Sequence, residues 1–316
     1  MADVAPATEN SMNEEMEGVK VPSKDADVGL QLLARSERVE YTAHDARRVK
    51  RKIDVFILPM LCATIALQYL DKVTLSYAAV YGLQSDLHLV GQQYSWTSSI
   101  YYFGYLVAEP IAMYLIAKCH IGRFAAANIF FWGVMVMLCA VAKDFAGLMA
   151  LRFFMGIFEA SIGPCWVALM SIYYRKEEQG LRVTTWYGFV GVAAIVGGLL
   201  AYGVGYEQSS LKTWQLIFLI CGGMTVVWSA VIWCFLPADP TSARFLSVKE
   251  RAITVERLRD NRTGLKSPRF KVRQALKAVT DPQCIIIALS SGISNITNIA
   301  GSFLPLMIQD MGFSRF

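Results

Sequence analysis

Seven apolar runs, at residues 53–80, 95–117, 125–142, 146–171, 184–206, 213–236 and 284–308, leave this chain few ways to fold. A helix rising about 1.5 Å per residue needs roughly 20 apolar residues to cross about 30 Å of hydrocarbon. Each run is close to that length, and short polar turns separate most of them. Hydrophobic residues make up 55% of the chain and charged residues 17%, outside the range of an ordinary soluble domain. The expected fold is an all-α membrane protein, with the lipid bilayer as its main solvent.

One connection is different. Residues 237–282 open with Leu-Pro-Ala-Asp-Pro, pass through an amphipathic charged segment from Phe245 to Arg259, and end on Asp281-Pro282. That ending suits the N-cap and first turn of a new helix. The sequence therefore divides into a polar tail at 1–50, a six-helix bundle at 51–236, a hydrophilic linker at 237–282 and a seventh helix within 283–316. The tail has no apolar core of the kind a signal peptide needs and is expected to be disordered.

Basic residues set the expected orientation. Arg47, Arg48, Lys50, Arg51 and Lys52 precede the first span, Lys118 and Arg123 flank the second loop, and Arg175, Lys176 and Arg182 the fourth. The long linker holds eleven Lys and Arg from Arg244 to Lys277, whereas the first loop has none and the third and fifth have only Lys143 and Lys212. By the positive-inside rule the N-terminus and the linker are cytosolic. A seven-helix receptor would have the opposite N-terminal orientation, and the sequon Asn261-Arg262-Thr263 would face the cytosol. The net charge of +5 is spread among short loops, so it marks topology and not a nucleic-acid partner.

Charged residues inside spans cost about 2.5–3.5 kcal/mol each on insertion scales and therefore face protein or a wet cavity. In the fourth span, helical spacing aligns Arg152, Gly156, Glu159 and Gly163 on one stripe. Counting from Ala146, Glu159 lies about 20 Å along the helix, near mid-membrane. In the first span Thr64, Gln68 and Asp71 form a second polar stripe. Lys72 sits about 100° away from Asp71, and both are expected either at the outer boundary as ion-paired residues or in a binding site. In the second span Tyr105 and Glu109 lie deeper than Tyr101 and Tyr102, which read as interfacial belt residues, and Pro110 predicts a local break. Close packing accounts for the glycines of the fifth span. The seventh span is rich in hydroxyls and amides, including Asn295 and Asn298, and suits a cavity wall or a helix contact.

Enzymatic chemistry has no foothold, since there is no phosphate-binding loop, metal-ligand cluster or nucleophile–base pair, and no cofactor is implied. The seven cysteines show no ligand spacing and read as free thiols packed among helices. With no nucleotide motif, an ion-driven secondary transporter fits better than a pump.

Six helices, a long cytosolic linker and a further helix resemble the major facilitator superfamily, built from two six-helix halves around a central site. Arg152, Gly156 and Ala160 match the RxxxGxxxA pattern of its fourth helix. In the loop after the second helix Gly122-Arg123 matches the end of GxxxD(R/K)xG(R/K), but Leu115, Cys119 and His120 depart from it. Arg51-Lys52-Ile53-Asp54, Tyr69-Leu70-Asp71-Lys72, the run Leu151 to Ala160, and Leu236-Pro237 with Phe245-Leu246 resemble the fungal allantoate permease group of anion:cation symporters.

The resemblance implies proton-coupled uptake of a small organic anion of the allantoate, nicotinate or pantothenate kind, across the plasma membrane. Under it, Arg152 takes the anion or organises the proton site, Glu159 and Asp71 are the proton-sensitive carboxylates, and Gln68, Tyr105, Glu109, Asn295 and Asn298 line the cavity. It also implies five more helices, so the sequence reads as a half-transporter truncated after the seventh, without the opposing half that alternating access requires. The rival within the superfamily is an efflux antiporter, whose fifth helix typically carries a Gly-Pro signature; here Gly197-Gly198 has no proline beside it.

Overall fold

The computed structural model describes residues 40–207, 210–259 and 280–312, and within 295–310 the side chains of Phe303, Pro305, Met307 and Ile308 alone. Among the described residues, six spans are long and apolar enough to cross a membrane. They are built from helices α1 (Ala43–Val80), α3 (Gln93–Lys118), α4 (Ile121–Cys139), α5 with α6 (Phe145–Glu159 and Ile162–Tyr173), α7 (Lys176–Gly205) and α8 (Thr213–Phe235). A short α2 (Leu83–Asp86) caps the first hairpin, α9 (Val248–Arg259) lies in the linker, and α10 (Pro282–Asp310) is the seventh long helix. The sequon at Asn261 lies outside the described residues.

The first helix starts earlier than its apolar run. Thr42 and Asp45 form a capping box, with the Thr42 hydroxyl accepting from the Asp45 N–H at 3.2 Å. That closure starts α1 at Ala43, ahead of the boundary expected at residue 51, so the basic residues before the first span are helical. At the other end, Gly82 has φ +93°, a conformation that suits glycine in the tight reversal before α2.

The break expected at a proline falls elsewhere. α3 runs unbroken through Pro110. The fourth span breaks instead, with Ala160 and Ser161 in a turn between α5 and α6. Pro164 is the third residue of α6, where its missing N–H costs little but its ring prevents α5 from continuing through the site.

Glycines decide which helices cross closely. A Cβ on Gly156 of α5 would strike the Tyr101 carbonyl of α3, and one on Gly104 would strike the Phe153 carbonyl. Gly133 of α4 and Gly222 of α8 form the matching crossing, where a Cβ on Gly222 would come within 2.6 Å of Met137. Such contacts replace the hydrophobic drive that helices lack in lipid. The fifth span is different from what its composition suggested. Gly197 packs against Leu70 and Tyr77, but Cβ atoms on Gly188, Gly191, Gly198 and Gly203 would meet nothing within 4 Å.

No disulfide forms among the described residues, and only part of the cysteine set is packed inside: Cys62, Cys139, Cys165 and Cys221 are buried, Cys119 is half-buried, and Cys234 and Cys284 are exposed.

Opposite ends of the bundle are tied by different charges. At one end Glu178 receives both Arg257 of α9, at 2.8 Å, and Lys50 of α1, at 3.7 Å. Lys52 meets Glu250 at 2.5 Å, and Phe56 stacks on Phe245 with centroids 4.3 Å apart. At the other end Asp86 accepts from Lys212 and from the Trp214 indole, both at 2.6 Å. The lysine and tryptophan hydrogen bonds hold the Asp86 carboxyl below the usual carboxylate range.

Candidate functional site

Three charged side chains, Asp71, Arg152 and Glu159, are buried inside the bundle, and a fourth, the exposed Lys72, reaches one of them. α5 presents Arg152 and Glu159 on the face that Gly156 presses against α3. Both are buried, Arg152 at 3% exposure and Glu159 at 0%. The stripe read from helical spacing therefore faces protein, and Arg152 does not snorkel to a surface. Gly163 lies past the break, where a Cβ would sit 3.7 Å from the Tyr105 hydroxyl.

Across from them α1 brings Asp71, 1% exposed, and Lys72, which is exposed. The Thr225 hydroxyl of α8 points to Asp71 Oδ2 at 3.5 Å, a long contact, while the other carboxylate oxygen has no hydrogen-bond partner among the described residues. Lys72 Nζ lies 3.6 Å from Glu159 Oε1 and 5.8 Å from the Tyr101 ring centroid. The two neighbours thus do different things. Asp71 is sequestered, whereas Lys72 forms its ion pair across to α5.

Arg152 is the least satisfied group of the four. Its Nη1 reaches only the Met155 Sδ, at 3.8 Å, and Nε and Nη2 have no hydrogen-bond partner among the described residues. Asp71 and Glu159 lie within electrostatic reach of the guanidinium but form no ion pair with it among the described residues. Both Glu159 oxygens also lack a hydrogen bond. The Tyr101 hydroxyl interacts with the Glu159 carboxyl without closing a bond of ordinary geometry. Unpaired buried charges of this kind are costly, by several kcal/mol each.

Tyr101 is 3% exposed and belongs to the site, not to an interfacial belt. The sequence places Lys72 with Asp71 either at the outer boundary or in a binding site, and Tyr101 in an interfacial belt. Lys72 was legible as an intramembrane charge, but its partner on another helix was not. Thr225 gave no signal. Gln68 is buried at 8% exposure, and Tyr105 is half-buried beside Tyr101, with ring centroids 6.1 Å apart. Glu109 is not brought in: it lies on the exposed face of α3 with Leu106 and Val107. The side chains of Asn295 and Asn298 lie outside the described residues.

The Major Facilitator Superfamily profile matches residues 61–316. An uncharacterized transporter of Schizosaccharomyces pombe is 46% identical over 275 residues, covering 87% of this chain and 52% of the relative. The allantoate permease of Saccharomyces cerevisiae is 33% identical over 299 residues, 92% of this chain and 55% of that protein. A thiamine pathway transporter of the same yeast is 35% identical over 292 residues, 90% and 55% of the two chains. This chain therefore spans about half the length of these relatives. Among solved structures, a bacterial homolog of the human lysosomal transporter Spinster, inward-facing and occupied, superposes with a TM-score of 0.50 at 16% identity. That superposition covers 56% of this chain and 43% of the other, a likeness of fold.

Proposed function

Because the chain belongs to the Major Facilitator Superfamily, we propose that it forms half of the pathway of a proton-coupled importer of small organic anions. The observation that carries this reading is the buried Arg152 guanidinium, which forms no ion pair among the described residues and lies within electrostatic reach of two buried carboxylates, Asp71 and Glu159. With Asp71 and Glu159 ionised, they balance the charges of Arg152 and Lys72. Protonating one carboxylate leaves a net positive charge that an anion can neutralise. A unit charge about 4 Å away is worth roughly 4 kcal/mol at an effective dielectric near 20. Proton and anion therefore bind cooperatively by electrostatics alone.

In this scheme Arg152 and Lys72 hold the carboxylate of the solute, Glu159 and Asp71 take the proton, and Gln68 and Tyr105 supply polar walls. The names of the relatives support an anion of the allantoate class or a thiamine-pathway solute. Residues 51–236 act as the N-terminal bundle, 237–282 as the inter-half linker and 283–316 as the first helix of the second half. Meeting of the basic segments at one bundle end supports a cytosolic N-terminus, and the plasma membrane is the location that the resemblance to the allantoate permease group implies.

The test is uptake of radiolabelled allantoate or nicotinate by the protein extracted from its own membrane and reconstituted in liposomes alkaline inside. Uptake driven by the proton gradient and lost in Arg152→Gln supports the proposal. Uptake indifferent to the gradient, or retained in Arg152→Gln, overturns it.

A further inference from the structure

A second basic site lies at the end of α1, away from the charges in the bundle. His44, Arg47, Arg48, Arg51 and Lys52 line an open cleft of about 810 Å³. At about 100° per residue, positions 44, 47, 48, 51, 52 and 55 fall on one helix face. Among the described residues the cleft has no acidic residue in its lining, and its apolar side is made by Val55, Phe56 and the linker residue Phe245. Lys52 is already engaged by Glu250 at 2.5 Å. Arg47, Arg48 and Arg51 are exposed and form no ion pair among the described residues.

The position of the cleft along the helix says what it takes. Asp54 is the last charged residue of α1 before sixteen uncharged ones that end at Asp71. The basic face thus stops where the hydrocarbon-compatible sequence begins. Val55, 69% exposed, and the exposed Pro59 continue the face into that region. A pocket for a soluble anion has no use for an apolar lip on its membrane side. A lipid uses both parts, the arginines for its phosphates and the lip for its glycerol and upper acyl carbons. Clusters of four to eight basic residues just cytoplasmic of a span bind anionic headgroups, and Phe245, stacked on Phe56, closes the cleft from the linker side.

We propose that this cleft binds the headgroup of a multiply anionic phospholipid of the cytoplasmic leaflet, of the phosphoinositide kind. The choice of leaflet rests on the orientation given above; the binding itself does not, and neither does its measurement.

The full chain, purified in detergent, is titrated with phosphatidylinositol 4-phosphate and with phosphatidylcholine, and bound lipid is counted by native mass spectrometry. The anionic lipid is retained and phosphatidylcholine is not. Arg47→Gln, Arg48→Gln and Arg51→Gln together weaken retention on the order of a hundredfold, about fivefold for each charge removed near the surface. Lys249→Gln, an exposed basic change outside the cleft, leaves retention as it was. If the triple variant does not fold, Arg51→Gln alone is read, with a roughly fivefold loss expected. Undiminished retention in the arginine variants, or an equal loss in Lys249→Gln, overturns the site. Binding of soluble glycerophosphoinositol 4-phosphate as tight as that of the lipid also overturns it, in favour of a free-anion pocket.

Discussion

Asp54 holds Arg182 with both carboxylate oxygens, Oδ1 accepting from Nε at 3.1 Å and Oδ2 from Nη2 at 2.8 Å. The pair joins α1 to α7, and the guanidinium also donates to the Glu178 carbonyl at 3.0 Å and lies over the Tyr174 ring. Arg182 is 8% exposed. Asp54→Asn leaves that buried charge short of its counterion, and about 2–3 kcal/mol of stability is expected to be lost. Thermal melting in detergent reads this as a lower midpoint. Arg182→Gln combined with Asp54→Asn is expected to cost less than the two single losses added, because residues in direct contact couple.

Gly156 and Gly188 separate two kinds of glycine. Gly156→Ala pushes a methyl onto the Tyr101 carbonyl, which is backbone and cannot rotate away. The expected loss is about 3 kcal/mol, at the upper end of overpacking. Gly188 has open space at its Cβ, so Gly188→Ala in mid-helix is expected to stabilise the chain by roughly 0.5–1 kcal/mol. Melting midpoints moving in opposite directions are the readout, and equal shifts would contradict the packing described for α3 and α5.

Glu159→Gln tests the division of labour within the proposed site. Glutamine keeps the shape of the side chain and cannot release a proton. Uptake driven by a pH gradient is expected to fall at least tenfold, while exchange of labelled for unlabelled anion at equal pH continues. The result contrasts with Arg152→Gln, expected to abolish both because the anion loses its buried counter-charge. Loss of exchange in Glu159→Gln would assign that carboxylate to the anion's own site.

The linker helix has a pH limit. Lys52 donates to Glu250, and this bond holds the carboxyl below its ordinary value of 4.5. Because the folded value is lower than the unfolded one, the contact contributes fully above about pH 4.5 and is lost as pH falls through the folded value. Hydrogen exchange across Val248–Arg259, corrected for intrinsic rates, should be unchanged between about pH 8 and pH 6 and faster below about pH 4. Glu250→Gln should remove that step. A step centred near neutral pH would mean another group controls the docking of α9.

Length and hydropathy by themselves determined the spans, because crossing hydrocarbon demands about twenty apolar residues whatever the neighbours are. The same local reasoning put Arg152, Gly156 and Glu159 on one face, since a helix repeats every 3.6 residues. Where pattern alone was used beyond a single helix, the outcome depended on partners in space. Pro110 left α3 whole, whereas the fourth span broke just before Pro164, and Gly188, Gly191, Gly198 and Gly203 of α7 met open space where Gly104 of α3 and Gly156 of α5 met backbone. Tyr101 read as an interfacial ring yet sits inside the bundle, and Glu109 read as a cavity group yet lies outside it. The pairing of Lys72 with Glu159, and the lack of an ion pair between Arg152 and either carboxylate among the described residues, required the tertiary structure. Electrostatic partnership depends on distances of a few ångströms between helices far apart in sequence, and one-dimensional spacing does not contain them.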